Sequence, residues 1–121
     1  MILLDANYIL RYLLRDNEQM FLVAKEVMRS ENCLLLNEVI AEVVYVLEGV
    51  YRVPRDTISK TLAELVMMHN MDLYESKSFL IEALLLYKDT KLDFVDCCLC
   101  ALKEKYIVKS FDKKLMKCIE K

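Results

Sequence analysis

Apolar residues open the chain in a short run, and after Asp5-Ala-Asn they recur at Ile9, Leu10, Leu13 and Leu14, the spacing of one helical face. Strand, turn and helix are the expected order. Met20, Phe21, Ala24, Val27 and Met28 repeat the helical period. Cys33 to Leu36 is a second apolar run, and it ends at Asn37, a residue that caps helices well. From Glu38 to about Tyr51 the predicted helix is apolar nearly all round. Pro54 then opens another helix, through His69, at the first-turn position that proline prefers. Residues 76–88 predict a further apolar helix and Asp93 to Lys105 a sixth. Tyr106 to Lys109 reads as a short strand, and Phe111 to Glu120 as a closing helix. Strands that alternate with helices imply an α/β fold, a short, mostly parallel sheet flanked by about seven helices. The pattern contains no internal repeat.

The 121 residues suit one domain, 1–121, and a 56% hydrophobic share supplies its core. One glycine and one proline are too few for an all-β chain with many tight turns. The apolar runs are far shorter than a membrane helix requires, and the N-terminus meets Asp5 without a basic region or cleavage site. A cytoplasmic protein is therefore expected. Five cysteines, without an export signal, predict reduced and mostly buried thiols. A net charge of −2 excludes a binder that works through a uniformly basic surface. A polyanionic partner would have to be held by local basic residues or by metal. Arg11, Arg15, Lys113, Lys114 and Lys117 are suited to guide such a polyanion, since they lie on the helices that follow Asp5 and Asp112.

In an open parallel α/β sheet, ligands bind at the carboxyl ends of the strands, and the predicted elements send four acids to that rim. Asp5 ends the first strand and Asp112 follows the last. Glu42 sits about one turn into the helix after the second strand, and Asp96 lies in the first turn of its helix. Each has a plainer reading. Asp5 suits a strand end, Asp93 and Asp96 a capped helix start, and Ser110 with Asp112 another. Glu42 resists such a reading best. It is the only charge between Glu38 and Glu48 and has no Lys or Arg one turn away, so a metal ion or solvent must compensate it.

Four carboxylates suit Mg²⁺ or Mn²⁺, hard cations that prefer oxygen ligands and activate water for in-line phosphodiester displacement. Such chemistry needs no histidine, and His69 lies far along the chain from every acid. Cys97 and Cys100 form a C-x-x-C spacing without the second pair or histidine that zinc would need, so buried core thiols are the expectation. The apolar helices at 39–50 and 76–88 hint at self-association.

The segments LLDANYILRYLLRD, NEVIAEVVYVLEGVY, KLDFVDCCLCALKEKY and VKSFDKKL, in that order, resemble the PIN-domain ribonucleases, and most nearly the VapC-type toxins of toxin-antitoxin modules. The resemblance covers nearly the whole chain. It implies that Asp5, Glu42, Asp96 and Asp112 are the metal-binding catalytic acids, with Asn7 and Ser110 supporting the first and last and Asp93 as an accessory acid. It further implies cleavage of single-stranded or loop RNA, a homodimer, and inhibition by a cognate antitoxin protein. Cysteines replace the small residues usual after Asp96, and no edge strand follows the last helix. The same fold serves RNA processing, and a non-catalytic scaffold is a further alternative. A phosphoacceptor receiver domain fits poorly, because Asp56 follows Pro54 at a helix start rather than a mid-chain strand.

Overall fold

The computed structural model describes all residues, Met1–Lys121. Three short strands, β1 (Ile2–Leu3), β2 (Cys33–Leu35) and β3 (Met71–Leu73), form one parallel sheet in the order β1-β2-β3. Ile2 stands opposite Cys33, and Cys33 opposite Met71. Seven helices surround it: α1 (Ala6–Leu14), α2 (Glu18–Ser30), α3 (Asn37–Gly49), α4 (Arg55–Val66), α5 (Lys77–Asp89), α6 (Phe94–Ala101) and α7 (Lys113–Glu120). No helix is long and apolar enough to cross a membrane.

The expected α/β class and helix number are those observed, with differences that have physical causes. The segment 106–109 is not a strand. Ile107 is 88% exposed, so these residues have no buried face to hold them against the sheet. The third strand is instead Met71–Leu73, whose single apolar–polar–apolar alternation is too short to announce a strand. The fourth helix ends at Val66, before His69, and the sixth at Ala101, before Lys105. Pro54 caps α4 from just outside it. Leu36, not Asn37, occupies the N-cap of α3.

The core is built from single helical stripes packed on the sheet. Ile40, Val43, Val44 and Leu47 of α3 follow the i, i+3, i+4, i+7 spacing and are almost wholly buried. They belong to one buried cluster with Ile9 and Leu10 of α1, Leu35 of β2, and Leu80, Leu84 and Tyr87 of α5. Glu42 falls on the opposite side of α3 and is exposed. The helix expected to be apolar all round therefore has a solvent face, and water compensates Glu42 without a buried charge.

The α5–α6 connection, residues 90–93, is fixed by Arg55. Its guanidinium donates to the carbonyls of Tyr87 (3.0 Å), Thr90 (2.8 Å) and Leu92 (2.7 Å) and pairs with Glu48 (3.1 Å). It also lies 4.1 Å from the centre of the Tyr87 ring. Asp93 begins α6 directly after this anchored loop.

At the other end of α6, Cys100 is joined to Cys118 of α7 by a disulfide. The expectation of five reduced thiols is thereby corrected: only Cys33, Cys97 and Cys98 are free, all of them buried. Cys100 and Cys118 lie 18 residues apart on different helices, so only the packing of α7 on α6 makes them neighbours. Leu115 is the only fully buried residue of α7.

Candidate functional site

Three of the acids start helices. Asp5 accepts from Tyr8 N–H (2.8 Å) at α1, Asp93 from Asp96 N–H (3.0 Å) at α6, and Asp112 from Leu115 N–H (2.9 Å) at α7. Each satisfies an otherwise unpaired amide and sits where the helix dipole favours negative charge. The capping role is therefore real, yet it engages one carboxylate oxygen of each and leaves the other without a protein donor. Ser110 supports Asp112 by accepting its backbone N–H at 2.9 Å. Asn7 makes no hydrogen bond to Asp5. It lines, with Asp5, Tyr8 and Arg11, a cavity of about 360 Å³ between α1 and α2.

Asp96, in the first turn of α6, is half-buried and faces Asp93 and Asp112. Burial, and then the charges of those two neighbours, hold its carboxyl above the usual carboxylate range. Of the other three acids expected on the carboxyl rim, Asp112 is the one whose charge reaches Asp96. Asp93, three residues before Asp96 and bound to its amide, and Asp112, across on α7, are the carboxylates whose charges act on it. Asp5 and Glu42 are not among the carboxylates that press on Asp96. None of these acids is paired with a cation, since the ion pairs of the chain involve only Asp16, Glu18, Glu48 and Asp89.

That donor set is all hard oxygen, which suits Mg²⁺ or Mn²⁺, but no three acidic, histidine or cysteine side chains stand close enough to enclose an ion. Mg²⁺ needs less, commonly one or two carboxylates with several waters. By donor chemistry alone, the residues fit a hydrated cation of this kind.

Between the starts of α3 and α6 lies a further cavity of about 310 Å³, lined by Asn37, Glu38, Ala41, Val95 and Cys98. Asn37 faces the Cys98 thiol instead of capping its own helix. Burial nevertheless pushes that thiol up to about 12. Glu38 is the acid that the pattern of the sequence left aside. Its position in the first turn of α3 was the available signal.

The expected RNA-guiding residues divide into two sets. Arg11 is bound to Asp16 at 2.7 Å and Arg15 to Glu18 at 3.2 Å, so both already have carboxylate partners. Lys113, Lys114 and Lys117 are exposed and unpaired, and Lys114 and Lys117 line a cavity of about 420 Å³ between α5, α6 and α7.

The PIN domain family model matches residues 2–117. The chain belongs to the PIN domain family. PIN domains are generally metal-dependent nucleases, and the uncompensated carboxylates at the starts of α6 and α7 are in keeping with that chemistry. No curated protein and no solved structure is similar enough to this PIN domain to match it.

Proposed function

We propose that this PIN domain is a ribonuclease that works with Mg²⁺ or Mn²⁺ at Asp5, Glu42, Asp96 and Asp112, and that it is the toxin of a toxin-antitoxin module. The observation that carries the nuclease reading is Asp96, which faces Asp93 and Asp112 with no cation to offset them. A bound divalent ion supplies a nucleophilic water at neutral pH and neutralises charge on the phosphate under attack.

The protein's own part is to hold the donors rigidly. Asp112 is fixed by Leu115 N–H and Ser110, and Asp93 by the amide of Asp96. Their remaining oxygens face outward, where a hydrated ion and a phosphate can enter together. In this reading Asp5, the N-cap of α1, and Glu42, on the exposed face of α3, join the donor set. Asn7 stands beside Asp5 to orient water or substrate. Phe111, fully exposed and adjacent to Asp112, offers a flat face to an unpaired base, which favours single-stranded RNA.

Labelled single-stranded RNA should be cut in Mg²⁺ or Mn²⁺ and left intact in excess chelator. Asp96→Asn, which preserves shape, should abolish the cutting. Cleavage that persists in chelator would refute the metal mechanism. The toxin reading predicts arrested growth on expression, relieved by co-expression of the protein encoded by the adjacent reading frame, and a homodimer in solution. Unaffected growth would leave a role in RNA processing in its place.

A further inference from the structure

The 420 Å³ cavity between α5, α6 and α7 differs in charge from the rest of the molecule. Five lysines line it, Lys91, Lys103, Lys114, Lys117 and Lys121, against a single carboxylate, Glu82. That is a charge of +4 at one cavity in a chain whose net charge is −2, so the remaining residues carry −6. None of the five lysines forms an ion pair, and only Lys103 has a protein partner, the Cys118 carbonyl at 3.3 Å. Clustered ammonium groups repel one another, and without carboxylate partners they hold a positive potential that an anion relieves. Beneath them the walls are apolar, formed by Leu86, Leu92 and the Cys100–Cys118 disulfide.

We propose that this cavity seats the backbone of a single-stranded RNA, its lysines meeting successive phosphates and its apolar walls taking a base. The assignment rests on the nuclease reading above. Lys114 and Lys117 lie one turn apart on α7, Lys121 follows at its C-cap, and Asp112 is its N-cap. From Lys114 to Lys121 the helix rises roughly 10 Å, the length of about three nucleotides of a stacked strand. The lysines thus form a track that leaves the acid rim along the helix whose cap belongs to it. An acidic peptide would satisfy the charge as well. The alignment with Asp112 favours the polymer that is cut there.

The test is binding without cleavage. Anisotropy of a short labelled single-stranded RNA is followed against salt in excess chelator, for wild type, Lys91→Gln/Lys117→Gln/Lys121→Gln and the same three positions as Arg. Circular dichroism establishes that each variant folds. The Gln variant should bind about tenfold more weakly or worse, and its log K against log salt slope should fall by roughly 2, near 0.7 per lost lysine. The Arg variant should keep both. Equal affinity and slope for the Gln variant and wild type would overturn the proposal. A polyglutamate peptide that binds wild type as tightly as RNA of equal charge, and is lost in the Gln variant, would overturn it in favour of an acidic protein partner. Failure of the nuclease reading is separately visible: wild type would bind RNA in chelator, lose that binding with the lysines, and still cut nothing in Mg²⁺ or Mn²⁺.

Discussion

Arg55→Lys is the substitution that best tests how the α5–α6 loop is held. The guanidinium fork reaches three backbone carbonyls, those of Tyr87, Thr90 and Leu92, while also stacking on Tyr87 and pairing with Glu48. Each hydrogen bond from a charged donor contributes about 1.5–3 kcal/mol where water is excluded. The Glu48 pair is partly exposed and adds about 0–1 kcal/mol. Carbonyls freed at the loop surface regain some hydration, so complete removal in Arg55→Met should cost about 3–4 kcal/mol. Lysine keeps the charge but replaces a planar fork with a point donor, and serves one carbonyl where arginine serves three. The expected cost of Arg55→Lys is about 2 kcal/mol, a fall in melting temperature of roughly 6–12 °C for a domain of this size. Urea unfolding of wild type and both variants, followed by far-ultraviolet circular dichroism, measures it. An Arg55→Lys protein within about 0.5 kcal/mol of wild type would refute the fork as the anchor and leave only charge.

Four further outcomes are expected. Asp96→Asn removes a carboxylate that burial, Asp93 and Asp112 all disfavour, so the metal-free variant should melt at the wild-type temperature or above while losing RNA cleavage; a lower melting temperature would show the charge to be structural. In denaturant without reductant, thiol titration should count three groups per chain rather than five. Cys100→Ala/Cys118→Ala should lose about 3 kcal/mol, with hydrogen-exchange protection falling first in α7, and unchanged protection there would contradict the tether. Glu48 is held below its ordinary value by the Tyr87 hydroxyl first, and by Arg55. Its stabilising share is therefore full above about pH 4.3 and is lost as acid carries the pH down through the depressed value. Glu48→Gln should flatten that part of the stability–pH curve, and identical acid limbs would count against the coupling.

The local order of this PIN domain was legible in its sequence because most of its elements are decided by periodicity and caps. The helical spacing of Ile9, Leu10, Leu13 and Leu14 and the helix-starting acids Asp5, Asp93 and Asp112 each act within about two helical turns, so neighbouring residues suffice to read them. Strands of two or three residues carry no such period. Met71–Leu73 became a strand through its pairing with β2, and 106–109 did not become one because nothing buries it. The candidate site divides along the same line. Its residue types were apparent, but which acids from different helices meet depends on how α6 packs against α7, and Asp112 acts on Asp96 where Glu42 does not. The solvent exposure of Glu42, the Cys100–Cys118 bond and the five-lysine cavity are likewise tertiary facts. Each depends on groups that are distant in the chain or on which helical face turns inward, and a one-dimensional pattern contains neither until the helices are packed.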